Sequence, residues 1–272
     1  MTTADPDAGR VRIARVDGVL RLTLDRPAKR NALTDEMVAA LVAALEDAAT
    51  ADDVRVVVLD GAGEHFCGGA DIVARNRAGA NDTRPRPGSI QRRLPTGAHR
   101  LVSLICETQV PVVCAVRGWA AGIGFQLALA ADFTVATHDA RFWEPFAARG
   151  FTPDSGATWL LPRRVGDVRA RELLVLGREI DGRTAAEWGA IHAAVASEDH
   201  AAAVDALVAQ LASGPTVALG LTKWLLHAGA GRGLDAQLVD EAFALELSSR
   251  TQDFREGLAA FTERRTPRFE GR

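Results

Sequence analysis

The chain has 272 residues, 47% of them hydrophobic, a formal net charge of −3 and three cysteines. That is apolar material for one large core or two small ones, and the charge excludes a general polyanion binder, so no nucleic-acid partner is expected. No apolar run reaches the roughly 20 residues of a membrane span, and Cys67, Cys106 and Cys114, odd in number and without a CxxC spacing, point to reduced thiols rather than a disulfide framework or a zinc site.

Residues 1–10 are polar and small, with Asp5 and Asp7. They have no apolar stretch, so a disordered lead-in is expected rather than a secretory signal, and a cytoplasmic location with it. Residues 11–24 alternate around Asp17-Gly18, a hairpin signal. After Asp25-Arg26-Pro27, the segment Ala28-Lys29-Arg30-Asn31-Ala32-Leu33 reads as a loop into a helix. Thr34 suits the N-cap, and Asp35 and Glu36 suit the positive end of the helix dipole. Val38, Leu41, Val42 and Leu45 supply the apolar stripe. Residues 54–59 form a nearly continuous β-branched run, the mark of a buried parallel strand.

A glycine-rich loop follows, from Gly61 through Gly68-Gly69-Ala70-Asp71-Ile72. Residues 73–100 carry seven arginines against one acid, with Pro85, Pro87 and Pro95 and no clear period. They read as a partly mobile insert or lid, either a solvated surface or the rim of a substrate mouth. Residues 101–106 look helical and lead into a buried strand at 112–116. The strand breaks at Arg117-Gly118-Trp119-Ala120-Ala121-Gly122-Ile123-Gly124 and restarts as an apolar helix, 125–131, then a short strand, 133–136. Glu144-Pro145-Phe146 and Thr152-Pro153-Asp154-Ser155-Gly156 come next. Helix is predicted at 169–176, a turn with a short helix at 182–189, and a strand at 191–196. From Asp199 strands stop, and 201–211, 215–227, 233–247 and 251–262 read as successive helices. The division is therefore a strand–helix core, 11–198, and a helical region, 199–272.

Two glycine-bearing turns, each leaving a buried strand, can present two backbone N–H groups to one point, the parts of an oxyanion hole. The same residues carry a family resemblance. Phe66-Cys67-Gly68-Gly69-Ala70-Asp71-Ile72 and Gly118-Trp119-Ala120-Ala121-Gly122-Ile123-Gly124-Phe125-Gln126 resemble the two oxyanion motifs of the crotonase superfamily, the enoyl-CoA hydratases and isomerases. Arg26-Pro27-Ala28-Lys29-Arg30-Asn31-Ala32-Leu33 resembles that family's CoA-binding loop, and Phe261-Thr262-Glu263-Arg264-Arg265 its C-terminal signature.

The resemblance implies an α/β fold, a spiral of repeated ββα units, with a C-terminal helical trimerisation region. It implies an acyl-CoA thioester as ligand, a homotrimer or dimer of trimers, and no metal or separate cofactor, coenzyme A being part of the substrate. By position, the N–H groups of Ala70 and Ile123 would hold the thioester oxygen. Gly68, Asp71, Ile72 and Gly122 would flank them. Lys29, Arg30 and Ala32 would meet the CoA moiety, and Arg264 a neighbouring subunit's CoA. The departures bear on chemistry. Gln126 and Phe146 stand where hydratases of the family carry their two glutamates, so hydration by a glutamate pair is in doubt. Asp154 matches the single acid of some enoyl-CoA isomerases, with Glu144 as a substitute acid–base and a helix N-cap as the plain structural role for Asp154. Phe142, Trp143, Phe146, Phe151 and Trp159 are expected to form a dry pocket around it, and Cys67 to be a packing residue. Three readings stay open: double-bond isomerisation with Asp154 as proton shuttle, a hydratase-like lyase with a single carboxylate, and a silent CoA-ester-binding protein.

Overall fold

A computed structural model describes residues 9–71 and 86–272. Most of the lead-in, Ile72 and the first part of the arginine-rich insert lie outside the described residues. The hairpin forms as predicted, with β1 (Arg10–Val16) and β2 (Val19–Asp25) antiparallel across Asp17-Gly18. Helix α1 (Asp35–Ala48) is capped by Thr34, whose hydroxyl accepts from the Met37 N–H. β3 (Val56–Gly61) pairs parallel to β2.

Residues 86–100 depart from the irregular insert expected there, while the helix expected at 101–106 forms and starts three residues earlier. Residues 86–107 hold a short helix, α2 (Ser89–Arg93), a single 3-10 turn at Leu94–Thr96 and helix α3 (Ala98–Glu107). The arginines of α2 face solvent, and α3 buries Leu101, Val102, Leu104 and Ile105. The helical stripe therefore starts only at Leu101, after the residues that mask its period.

β4 (Val112–Val116) continues the sheet, and β5 (Trp119–Ala121) leaves it for a second one. α4 (Ile123–Ala130) follows, buried along its whole length. β6 (Phe133–Thr137) and β7 (Arg141–Trp143) come next. Helix α5 (Ala157–Leu174) starts earlier than the helix predicted at 169–176. Pro162 and a left-handed Gly166 (φ 77°) split it into two arms, and only the second has an unbroken helical pattern. β8 (Ile180–Asp181), α6 (Gly182–Glu187) and β9 (Ala193–Val195) complete the core. The sheet order is β1-β2-β3-β4-β6-β9, parallel from β2 onward, beside a small β5-β7-β8 sheet.

Strand pleat explains how the large sheet is buried on both faces. Side chains alternate sides with period two. Val57 and Leu59 of β3, with Val112, Cys114 and Val116 of β4, enter the main core with Leu41, Leu101 and Leu127. Val56, Val58, Val113 and Ala115 point the other way, into a second core. That face is covered by α7 (His200–Ala212), which places Val204, Val208 and Leu211 on one stripe. Each such side chain fully buried contributes roughly 1.5–3 kcal/mol. The C-terminal arm continues as α8 (Thr216–Gly229), α9 (Leu234–Ser248) and α10 (Gln252–Glu263). No single helix among the described residues is long and apolar enough to cross a membrane.

Candidate active site

Three loops are hydrogen-bonded into one wall. Asn31, fully buried and left-handed at φ 55°, is the centre of the first contact. Its Oδ1 accepts from the Arg26 N–H at 2.8 Å, and its Nδ2 donates to the carbonyls of Ala62 (2.9 Å) and His65 (2.6 Å). Asparagine is one of the few residues that enter the left-handed region readily. The Arg26 guanidinium meets the Asp71 carboxylate at 2.7 Å, both largely buried. Backbone bonds complete the contact: Leu33 N–H to Gly69 O, Asp71 N–H to Leu33 O, and Gly68 N–H to Arg30 O. The expected CoA-binding loop and the first glycine loop thus form one unit.

The second glycine loop joins the first directly. Cys67 donates to Trp119 O (2.8 Å) and accepts from the Ala121 N–H (2.9 Å). A Cβ at Gly124 would lie 2.5 Å from Cys67 O and 2.7 Å from Cys67 Cβ, so α4 enters at this point only because residue 124 is glycine. Gly69 (φ 109°) and Gly122 (φ 51°) turn the chain immediately before Ala70 and Ile123. Burial pushes the Cys67 thiol up to about 12, so it serves as packing in this joint and carries no thiolate at neutral pH. Replacing Gly124 with Ala favours a helix by about 1 kcal/mol in local propensity, yet it forces the two loops apart. Turnover is expected to fall about 10²-fold, the effect of a misplaced reacting geometry, with the circular dichroism spectrum preserved. Unchanged turnover would show that this contact does not set the site.

Gly69, Ala70, Gly122 and Ile123 line one cavity. Among the described residues, neither the Ala70 nor the Ile123 N–H donates to a backbone carbonyl outside the helices and strands. Ile123 is moreover the first residue of α4, where no intrahelical acceptor exists. Asp154 and Ser155 also line it, and the apolar lining is Leu33, Val38, Leu94, Ala98, Pro145, Phe146 and Phe151. Phe146 and Phe151 meet edge to face at 5.3 Å between centroids. The Asp154 segment is held in a tight turn. Ser155 (φ 48°), itself buried, and Gly156 (φ 87°) are both left-handed, and Ala157 donates to the Asp154 carbonyl at 3.1 Å. A left-handed serine is strained by an amount of order 1 kcal/mol. The cap position of α5 is Gly156, with no side-chain cap, so Asp154 is not the N-cap of that helix.

Glu144 lies elsewhere. It is completely buried, as is Gln126, whose Nε2 donates to the Glu144 carboxyl at 3.1 and 3.4 Å. Burial, the largest influence, raises the Glu144 pKa well above the usual carboxyl range. The hydrogen bond from Gln126 opposes this and the charge of Asp154 adds to it. Gln126 and Glu144 are not among the residues lining the cavity.

The remaining expected site residues surround the wall rather than the cavity. Lys29 and Arg30 are exposed on the loop, Arg30 with its guanidinium 5.8 Å from the Trp119 ring. Ala32 accepts from Arg26 through its carbonyl, Gly68 and Asp71 hold the loop joint, and Ile72 is outside the described residues. Arg264 is exposed at the left-handed C-cap of α10, in the C-terminal arm. Of the predicted aromatic set, Phe146 and Phe151 line the cavity. Phe142 packs on Phe125 in the core, the Trp143 indole donates to Gly177 O, and Trp159 lies under the Arg163 guanidinium. Leu94, Ala98, Ser155 and Arg149 line the cavity without having been singled out from the sequence as site residues. The signal for Leu94 and Ala98 was hidden by the arginines around them.

The family model for enoyl-CoA hydratase/isomerase matches residues 14–272. A 1,2-epoxyphenylacetyl-CoA isomerase of Escherichia coli is 40% identical over 258 residues, 94% of this chain and 96% of that protein. A 2,3-dehydroadipyl-CoA hydratase of the same organism is 34% identical over 264 residues, 96% of this chain and 98% of that one. The crystal structure of an enoyl-CoA hydratase from Polaromonas sp. JS666 superposes with a TM-score of 0.88 at 32% identity, covering 96% of this chain and 100% of the other. The fold and these relatives define an acyl-CoA enzyme with the crotonase fold. The chain belongs to the enoyl-CoA hydratase/isomerase family.

Proposed function

We propose that this enzyme shifts a double bond within an enoyl-CoA, with Asp154 as the single proton shuttle. The observation that carries this reading is the cavity itself. Among the described residues, Asp154 is the carboxylate that lines it together with Ala70 and Ile123, while Phe146 and the buried Gln126 stand where the family resemblance places the hydratase glutamates. The thioester oxygen would accept from the N–H groups of Ala70 and Ile123. Asp154 takes the proton from the α-carbon, leaving a dienolate whose negative charge the two donors stabilise. The protonated carboxyl, its proton exchangeable with solvent, then delivers a proton to the γ-carbon, and the double bond moves from the 3,4 to the 2,3 position. The carboxylate ends as it began, and neither water nor a redox partner is consumed. Phe146 and Phe151 keep water away from the dienolate. Their crossed rings also suit a ring-bearing acyl group, in keeping with the substrate in the name of the 40% identical relative. Lys29 and Arg30 remain the proposed contacts for CoA phosphates, with Arg264 reaching a neighbouring subunit's CoA.

The 34% identical hydratase favours a second reading, addition of water with a single carboxylate. One experiment separates the readings. A 3-enoyl-CoA and a 2-enoyl-CoA are each incubated with the enzyme in deuterated water. Isomerisation predicts loss of the 3-enoyl form and deuterium at the α- and γ-carbons. A 3-hydroxyacyl-CoA product would overturn the isomerase reading in favour of hydration. Binding without exchange or turnover would make the protein a CoA-ester binder.

The proposal extends to assembly. α9 leaves Leu238, Val239 and Phe243 more than half exposed around one groove, and Leu258 and Phe261 of α10 are likewise exposed. Apolar faces of this extent are expected to be covered by other subunits, in a trimer or a dimer of trimers. Light scattering at micromolar concentration should give three or six times the 28.9 kDa chain mass. A monomer would refute this.

A further inference from the structure

The buried Glu144–Gln126 pair lies between two elements that line the cavity. Gln126 is in the first turn of α4, three residues after Ile123, and its own N–H bonds to Gly122 O at 3.1 Å. Glu144 follows β7 and precedes Pro145 and Phe146. The two elements are already joined by the Gly122 N–H to Trp143 O bond at 2.9 Å. Both side chains are wholly excluded from solvent. Among the described residues, an ionised carboxylate here would face one amide and no cation. α4 brings no titratable side chain, and the charged group whose field reaches Glu144 is Asp154, of like sign.

We infer that Glu144 is a positioning residue: as a neutral acid, it clasps Gln126 and so fixes the Pro145–Phe146 segment against the α4 N-terminus that carries the Ile123 N–H. A protonated carboxyl has one O–H donor and an acceptor oxygen. Gln126 offers the complementary pair. Its Nε2 is already on the carboxyl, and its Oε1 is buried with no protein partner among the described residues. Both carboxyl oxygens lie on the Gln126 Nε2, at 3.1 and 3.4 Å, and a small rotation that brings the acid's O–H to Oε1 closes a two-bond ring, which an ionised carboxylate cannot form. Burial raises the pKa of this carboxyl and so favours the neutral form that the ring requires. This accounts for a glutamine at the position where the family resemblance places a hydratase glutamate without a polar gap beside the cavity. The role rests on the enolate site proposed above, and it makes Glu144 act through Phe146 and Ile123 rather than on the substrate.

Glu144→Gln keeps the shape and gives an amide–amide ring with the same two bonds. Glu144→Ala opens the clasp. The expected result is that Glu144→Gln retains turnover, whereas Glu144→Ala loses about 10²-fold in kcat, with KM little changed. The pH dependence supplies a readout that a merely structural role would not move. The parent has its folded carboxyl raised, so the folded state holds the proton more tightly than the unfolded state. The resulting stability is complete below the ordinary value of 4.5 and is lost as pH rises through the raised one. Turnover and melting temperature of the parent should therefore decline on the alkaline side, and Glu144→Gln should lack that limb. Infrared difference spectra of parent minus Glu144→Gln should contain the carbonyl band of a protonated carboxyl at neutral pH. Equal turnover in Glu144→Ala and parent, a loss in Glu144→Gln as deep as in Glu144→Ala, or no such band would each overturn the inference. A parent that exchanges no α-proton at all would instead refute the enolate reading. The infrared band and the pH-dependent melting would still decide the clasp.

Discussion

Asp154→Asn is expected to bind acyl-CoA as the parent does and to lose 10²–10⁴-fold in isomerase turnover, about what a positioned general acid–base contributes. Asp154 lines the same cavity as Ala70 and Ile123. An amide of the same size cannot accept and return a proton. The turn bond, which uses the Asp154 backbone carbonyl, and the helix cap at Gly156 are untouched by the substitution. Glu144 cannot take over the task from its buried place with Gln126. The check is the rate of α-proton exchange in deuterated water, alongside CoA-ester affinity and the melting temperature. Exchange at the parent rate would remove Asp154 from the chemistry. A melting temperature lowered by ten degrees or so, about 2–4 °C per kcal/mol for a chain this size, would instead mark the residue as structural.

The elements most legible in the sequence are those whose signal is local. The Asp17-Gly18 hairpin, the Thr34 cap and the β-branched run before Gly61 each follow from a few adjacent residues, and each forms where expected. The four C-terminal helices agree with their apolar stripes within one or two residues. What was missed depends on distant partners. The helix at Ser89–Arg93 has a solvated, arginine-rich face and no period of its own. The first arm of α5 contains Pro162 and stops at Gly166, so propensity argues against a helix that tertiary packing of Leu160 and Leu161 secures. The two glycine loops were readable as oxyanion elements, and their convergence on one cavity with Asp154 required the fold. Glu144 shows the limit most plainly. Two residues from Phe146 in sequence, it points into the protein, and nothing in the sequence of residues 141–146 states which side chain faces inward.

The same limit applies to Lys223, a lysine within the largely apolar helix α8. It is buried on α8, and its ammonium uses three acceptors: the Asp132 carboxylate at 2.7 Å and the carbonyls of Ile105 at 2.7 Å and Val110 at 3.2 Å. Asp132 also accepts from the Val112 N–H at 2.7 Å, at the start of β4. One cation thus ties the C-terminal arm to the end of α3, the end of α4 and the first residue of a central strand. Burial lowers the Lys223 pKa, and the Asp132 charge and hydrogen bond oppose that loss. Lys223→Met keeps most of the apolar stem and removes all three bonds, leaving a half-buried carboxylate and two buried carbonyls facing a methyl group. The expected destabilisation is about 3–5 kcal/mol, as for removing one partner of a buried pair. Asp132→Asn in the Lys223→Met background should recover part of it, because the uncompensated charge is then gone. The coupling between the two substitutions is expected at about 0.5–3 kcal/mol. Denaturant unfolding of the four proteins measures both quantities, and hydrogen exchange should show α8 losing protection before β4. A Lys223→Met protein within about 1 kcal/mol of the parent, inside the range of an exposed ion pair, would mean that packing alone holds the arm to the core.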